Sequence, residues 1–187
     1  MKTRNIMVVM IGGLLLLACL LPGMIPLTRG TPTPMPAMEK DANKVIEALN
    51  GKNYARLETL AQEKYTDQDF AKPGTLTFTV KITDNKPIYF SYGWCAVDEK
   101  TLQQNLEHIQ PSLYINDQEL GKDVVHALSY TTANNMFCGD FGALLSDWPA
   151  GQYKLKAVAT FADKINDGVS DYPAGDYVFV YNVTVEK

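Results

Sequence analysis

The sequence predicts a mainly β protein, an antiparallel β sandwich that is preceded by a short helical segment and an N-terminal membrane anchor. Three patterns lead to this prediction: an uncharged run near the N-terminus, helical spacing of apolar residues within 38–70, and alternating apolar residues across 74–187. A packed core is expected, because 46% of the 187 residues are hydrophobic and 10% are aromatic.

The charged residues are distributed unevenly along the chain. Three of the 17 basic residues and none of the 21 acidic residues lie within positions 1–30, which leaves 14 basic against 21 acidic residues, a net charge of −7. An acidic domain without a basic stripe has no surface that would attract a phosphate backbone. Nucleic acid is therefore not expected as a partner.

The N-terminal segment 1–30 predicts export of the rest of the chain. Its uncharged run of 22 residues, 6–27, is long enough as a helix to span a bilayer. The stretch 16–19 (LLAC) instead resembles the lipobox of bacterial lipoproteins, in which Cys19 would carry the lipid. An ordinary cleaved secretory signal is the third interpretation. Under each of them the domain is extracytoplasmic, and under the first two it is anchored to the cell membrane.

A linker and a helical hairpin are predicted between the anchor and the β domain. Residues 31–37 (TPTPMPA) are rich in Pro and Thr, which favours an extended tether. Apolar residues then recur at helical spacing over 38–50 and again over 54–65, separated by an Asn-Gly stop signal. The range 38–70 is therefore predicted to be two amphipathic helices whose apolar side covers the next domain or a partner.

Beyond residue 74 the apolar pattern changes from helical spacing to alternation. Residues 75–83 alternate between apolar side chains (Leu, Phe, Val and Ile) and Thr or Lys. This is the pattern of a strand with one buried and one solvent-exposed face. Further strands are predicted at 88–95, 112–116, 123–131, 153–161 and 177–185, the last two paired as a terminal hairpin. A helix over 98–109, with Asp98 at its N-cap, interrupts the strands.

Two cysteines, Cys95 and Cys138, lie beyond the N-terminal segment. An even number of cysteines in an exported domain predicts a disulfide, and two are too few for a four-ligand zinc site. The disulfide would close a loop of about 43 residues, worth about 4 kcal/mol by loss of chain entropy in the unfolded state.

Two similar strings, DWPAGQY at 147–153 and DYPAGDY at 171–177, precede the last two predicted strands. In each string Pro and Gly favour a turn, and the final Tyr begins the inward face of a strand. A Trp followed by Pro-x-Gly-x-Tyr resembles the start of the penultimate strand in fibronectin-III-like and immunoglobulin-like sandwiches. This resemblance covers 74–187 and implies an Ig-like sandwich in which Tyr153 forms a tyrosine corner, its hydroxyl bonding the backbone just upstream.

An acidic stretch near the C-terminus is a candidate calcium site. Asp163, Asp167, Asp171 and Asp176 are closely spaced, and Ca²⁺ prefers several oxygen ligands from such residues. The stretch does not have the ligand pattern of an EF-hand loop. The alternative interpretation is a solvated turn, in which Asn-Asp-Gly provides the backbone angles.

Four aromatic residues, Tyr89, Tyr92, Trp94 and Trp148, are candidates for a sugar-stacking platform. Flat rings on one face of a sheet suit the C–H surfaces of a pyranose. The alternative interpretation is core packing, because three of the four belong to an alternating strand and large aromatics dominate sandwich cores.

No catalytic motif is present in the sequence. It contains no Gly-x-Ser-x-Gly, no glycine-rich phosphate loop and no His-Glu-x-x-His. We therefore expect a non-catalytic binding or interaction module, tethered to the membrane, with an unknown protein or glycan as ligand. The alternatives are a cell-surface carbohydrate-binding module, with or without the assistance of calcium, and a purely structural envelope protein.

Overall fold

The computed structural model describes residues 34–186, which form two main β-sheets packed face to face in a sandwich-like arrangement. The predicted membrane anchor, including Cys19, and the first part of the predicted linker lie outside the described residues. Across 34–186 no helix is both long enough and apolar enough to cross a membrane.

The first sheet is built around β8 (Phe137–Ser146). Along one side of β8 runs β4 (Ile88–Ala96), antiparallel over its whole length. Along the other side β7 (His126–Thr131) and β1 (Ala37–Met38) pair with successive parts of β8. A short strand, β2 (Ala55–Arg56), pairs with the start of β4 in parallel and completes the sheet. Two strands of this sheet therefore come from the part of the chain that was predicted to be linker and helices.

The second sheet contains both long C-terminal strands. Its order is β3 (Gly74–Ile82), β12 (Gly175–Val185), β9 (Gly151–Phe161), β5 (Ile109–Ile115) and β6 (Gln118–Glu119). The predicted pairing of the last two long strands is confirmed, since β9 and β12 are antiparallel neighbours over their full length. The prediction of an entirely antiparallel sandwich is wrong in two places, because β3 runs parallel to β12 and β2 runs parallel to β4.

The main core lies between the two sheets and follows the alternation of the strands. In β4 the inward residues are aromatic or aliphatic and meet the second sheet, with ring centroids 6.2 Å apart for Phe90 and Tyr181 and 5.3 Å apart for Trp94 and Phe161. Between β9 and β12 a small hairpin of β10 (Ile165–Asn166) and β11 (Asp171–Tyr172) closes one end of the sandwich.

Two helices form where the sequence predicts them. The first, α1 (Ala42–Asn50), is capped by Asp41, whose carboxylate accepts a hydrogen bond from a backbone N–H of the first turn. Its buried Val45 packs on the outer face of the first sheet, against Tyr89 and Leu144. The inserted helix, which we label α3 (Glu99–Leu106), has Asp98 as its N-cap, as predicted. It ends before the predicted limit at 109, because Ile109 already pairs with the second sheet as the first residue of β5.

The second helix of the predicted hairpin does not form over 54–65. This stretch contains β2 and a 3₁₀ helix (Leu57–Leu60), and then extended chain in which Ala61 bridges to Val80; the short α2 (Asp67–Phe70) follows. The chain passes round the edge of the sandwich here, with Tyr54 on the outer face of the first sheet and Leu57 in the main core. One helix could not place its apolar stripe on both of these surfaces, so tertiary packing overrides the local pattern.

Candidate ligand-binding site

A cleft of about 610 Å³ lies on the outer face of the first sheet, beside the C-terminal end of α1. Its lining comes from four separate parts of the chain: the last turn of α1, the segment around β2, the edge strand β7 and the central strand β8. The lining residues are Ile46, Leu49, Asn50, Tyr54, Arg56, Ala127, Leu128, Ser129, Tyr130 and Asp140.

The cleft exists because α1 covers only part of the sheet. Outward-facing residues of β8 occur at every second position, and one of them, Leu144, is packed under α1 together with Tyr89. Farther along the same face is Asp140, which α1 does not cover and which lies directly between Gly93 on β4 and Leu128 on β7 in the strand register.

Glycines on either side of Asp140 shape the surface of the sheet. At Gly142 a Cβ atom would collide with the ring of Tyr89, so the glycine allows that ring to lie flat across β8. At Gly93 a Cβ atom would lie 3.5 Å from Oδ1 of Asp140, so the absence of a side chain leaves space beside the carboxylate.

Asp140 is a buried carboxylate with only one of its oxygens paired. Its side chain is 2% exposed, and both terminal nitrogens of Arg56 lie 3.4 Å from Oδ2. No donor among residues 34–186 satisfies Oδ1 with hydrogen-bonding geometry. Burial raises the pKa of Asp140. The hydroxyl of Ser91, which is close enough to act on the carboxylate but does not reach hydrogen-bonding geometry, and the charge of Arg56 oppose that rise.

Tyr89 supplies a second unsatisfied group beside the carboxylate. Its hydroxyl is buried and has no hydrogen-bond partner within the described chain. Burial, followed by the charge of Asp140, raises the pKa of Tyr89 well above its usual range, which keeps the hydroxyl neutral. The Arg56 guanidinium lies 5.5 Å from the centre of the Tyr89 ring, within the range of a cation–π contact.

The rim of the cleft is apolar and aromatic. Ile46 and Tyr130 are each 41% exposed, and they are two of the five large hydrophobic residues that are exposed in the described part of the chain. The ring of Tyr54 also borders the cleft, with its centroid 6.0 Å from that of Tyr89 in an edge-on arrangement. Exposed apolar side chains around a polar floor are typical of a ligand or partner site.

The four aromatic residues that were candidates for a sugar platform are all buried. Tyr92 and Trp94 face the core between the sheets, Trp148 packs edge-on against Tyr153, and Tyr89 lies beneath α1 and Arg56. None of the four presents a ring face to solvent, and their positions match the alternative interpretation of core packing.

The four aspartates that were candidates for a calcium site each have a separate local partner. These partners are His108 for Asp163, backbone N–H groups of the following turn for Asp167, Lys164 and Asn166 for Asp171, and Thr160 for Asp176. Throughout 34–186, no group of three or more His, Cys, Asp or Glu side chains is arranged to hold a metal ion.

The predicted disulfide between Cys95 and Cys138 is present. It joins directly opposite residues of β4 and β8, whose Cα atoms are 4.0 Å apart. The bond therefore lies within the first sheet rather than between the sheets. Cys138 shares the outer face of β8 with Asp140, so the disulfide ties the strand that carries the floor of the cleft to its neighbour β4.

The paired Pro-x-Gly-x-Tyr strings form two equivalent turns. The hydroxyl of Tyr153 donates to the backbone carbonyl of Pro149 at 2.7 Å, and the hydroxyl of Tyr177 donates to that of Pro173 at 3.0 Å. Both rings are buried at the start of their strands. The strings are structural turns, and they lie outside the lining of the cleft.

The residues that define the cleft were not among the candidates drawn from the sequence. Arg56 and Asp140 are 84 positions apart, so no short motif joins them. The available signal was the string CGDFG at 138–142, which places one acidic residue between small ones in an otherwise apolar run.

Comparison with protein-family models finds none that matches this chain, and comparison with curated proteins finds no significant match.

Proposed function

We propose that this domain is a non-catalytic binding module on the extracytoplasmic side of the membrane, and that the cleft on the first sheet is its ligand site. The observation that carries the proposal is Asp140, a buried carboxylate with one unsatisfied oxygen at the floor of an open cleft. Buried polar groups nearly always have a partner in a folded protein, so an orphaned acceptor beside a cleft favours a bound donor.

The strand order supports an Ig-like assignment of the sandwich. By position, β12, β9, β5 and β6 correspond to strands G, F, C and C′ of such a fold, and β4, β8 and β7 correspond to B, E and D. The Tyr153 corner then falls between E and F, where Ig-like domains have theirs. The disulfide departs from the antibody pattern, because it joins B to E in one sheet.

The extracytoplasmic location rests on the N-terminal sequence and is supported by the disulfide, since disulfides persist in oxidising compartments.

Treatment of expressing cells with globomycin, which blocks lipoprotein signal cleavage, separates the interpretations of the segment 1–30. A shift in the mobility of the chain would support lipidation at Cys19. Unchanged mobility would support a spanning helix or an ordinary cleaved signal.

A carbohydrate ligand is the second candidate function. It is favoured by the rings of Tyr54 and Tyr130 at the rim and by the amide of Asn50 beside them, because sugar sites combine aromatic faces with neutral hydrogen-bonding groups. These two rings differ from the four aromatic residues that the sequence suggests as a sugar platform.

The proposal is tested by blocking the cleft with a large side chain. Asn50 is exposed at the end of α1 and lines the cleft, so Asn50→Trp fills the opening at little cost to the core. Asn43→Trp, on an exposed position of the same helix away from the cleft, is the matched control. Both variants and the native full chain, in detergent micelles, are screened by ligand-observed NMR against amines, mono- and disaccharides and short peptides.

The expected result is at least one class of compound that binds the native chain and the Asn43→Trp control and loses its signal with Asn50→Trp. Compounds that bind all three proteins equally would place the ligand elsewhere on the domain. The absence of binding by all compounds at millimolar concentration would favour a structural envelope protein over a binding module.

A further inference from the structure

We infer that the cleft recognises a primary ammonium group on an alkyl chain, with Oδ1 of Asp140 as the acceptor. This inference rests on the proposed function, since it names the ligand chemistry of the same site. It is carried by three properties of the cleft: its charge balance, the geometry of its one free carboxylate oxygen and the composition of its walls.

The charge around Asp140 favours a cation. Arg56 and Asp140 are the charged residues among those that line the cleft, and Nη1 of Arg56, which contacts Asp140, also lies 3.3 Å from a carboxylate oxygen of Glu58. One positive charge is therefore shared by two carboxylates, and with both of them ionised the local net charge is −1 before a ligand binds. A cationic ligand neutralises this excess, whereas a carboxylate or phosphate would add to it.

The free oxygen favours an ammonium group over other cations. Oδ2 is already occupied by Arg56, so the carboxylate cannot accept the paired hydrogen bonds that a second guanidinium would offer. A quaternary ammonium has no N–H to donate to Oδ1. A primary ammonium is a compact charge with three donors, and it can use one of them on Oδ1.

The walls of the cleft suit the alkyl chain that carries such a group. Aliphatic side chains of Leu49 and Leu128 line the inside, and Ile46 borders the opening. The rings of Tyr54 and Tyr130 provide faces for a cation–π contact. The remaining donors of the ammonium would meet a neutral acceptor, for which the side-chain amide of Asn50 is the candidate among the lining residues.

The test measures binding of n-pentylamine to the full chain in detergent micelles by NMR titration at neutral pH. The comparison compounds have the same chain length: 1-pentanol lacks the charge, pentanoate reverses it, and pentyltrimethylammonium keeps the charge without a donor. Nα-acetyl-lysine methylamide is included because a free alkylamine and a lysine side chain present the same group. We expect pentylamine or the lysine derivative to bind at least tenfold more tightly than each of the three comparison compounds.

Two variants connect this binding to the cleft. Asp140→Asn keeps the shape and removes the charge, and it should weaken amine binding by at least tenfold. Because this residue is buried, Tyr130→Ala serves as a second variant at an exposed position, with an expected loss of several fold. Tyr114→Ala, on the second sheet beside Lys156, removes a tyrosine of the other sheet and should leave binding unchanged.

Three results would overturn the inference. They are equal affinity for pentylamine and 1-pentanol, amine binding that survives in both cleft variants, and binding of a saccharide in place of any amine. In the third case the saccharide signal would still disappear with Asn50→Trp, so the cleft would remain the ligand site and only the ammonium assignment would fail. Loss of the ligand site itself would appear as insensitivity to Asn50→Trp.

Discussion

At the scale of single residues, Asp140 is a buried carboxylate that destabilises the folded state. A carboxylate taken from water costs several kcal/mol unless its oxygens are paired, and here only Oδ2 has a partner. Because Arg56 is itself partly exposed and shared with Glu58, it offsets only part of that cost. A neutral side chain at this position would stabilise the folded state better than the carboxylate does.

The Asp140→Asn variant should therefore gain stability relative to the native chain as pH rises. Burial raises the pKa of Asp140 above its ordinary value of 3.8, so the folded state binds this proton more tightly than the unfolded state does. The contribution of this group is fully present below the unfolded pKa and is lost as pH rises through the folded pKa. Urea unfolding of both proteins between about pH 3.5 and pH 7 measures the difference.

Of the other titratable groups that face Asp140, Arg56 stays charged and Tyr89 and Tyr130 stay neutral over this pH range in both proteins, and Glu58 is present in both. Asp171→Asn is the control with the opposite sign, because hydrogen bonds from Lys164 and then Asn166 lower the pKa of Asp171. The contribution of Asp171 is present above its unfolded pKa and is lost as pH falls through its folded pKa. A pH-independent difference for Asp140→Asn would contradict the prediction.

At the scale of elements, the disulfide acts on the sheet that carries the cleft. It links the end of β4 to the start of β8, two strands that are already paired by a continuous ladder, so its main effect is on the unfolded chain. Between the two strands the chain contains α3 and three further strands, β5, β6 and β7, and all of these lie within the closed loop.

Removal of the disulfide should cost about 4 kcal/mol of unfolding free energy, the chain-entropy value for a loop of this size. The test compares the native chain with a variant in which Cys95 and Cys138 are both serine, by urea unfolding with and without dithiothreitol. Reductant should lower the stability of the native chain to that of the variant and leave the variant unchanged. A loss below about 1 kcal/mol would mean that the unfolded chain is already constrained in this region.

The elements that could be predicted from sequence are those with one buried face and one solvent-exposed face. The clean alternation in β3, β9 and β12 and the Asp98 cap of α3 are local signals, and the structure follows them. The strand β8 was not predicted, because it is buried on both faces and its two glycines and Asp140 interrupt the alternation. The cleft depends on β8 and on the turn of the chain after Tyr54, so it was missed for the same reason.

At the scale of the whole molecule, residues 34–73 belong to the sandwich rather than preceding it. They supply β1 and β2 to the first sheet, and Leu57 and Ala61 to the main core. They also cover the outer face through Val45 of α1. The predicted domain boundary at 74 followed the change of apolar pattern in the sequence, but the packing crosses that boundary in both layers.

A fragment that begins at residue 74 should therefore be far less stable than one that begins at residue 34. Loss of a buried leucine side chain such as Leu57 alone costs about 2–5 kcal/mol, and removal of Val45 and Ala61 adds to this. The sum approaches the total stability of about 5–15 kcal/mol for an ordinary domain. We expect no cooperative thermal transition for the shorter fragment by circular dichroism. Equal melting temperatures for the two fragments would contradict this.

The two tyrosine corners have a consequence for the fidelity of folding. Each corner is local in sequence, and each decides which side of its strand faces inward, at Tyr153 for β9 and at Tyr177 for β12. Side chains change face with every step along a strand, so two strands with settled faces can only pair in registers that differ by an even number of residues. Half of the incorrect alignments of this ladder are thus excluded before the strands meet.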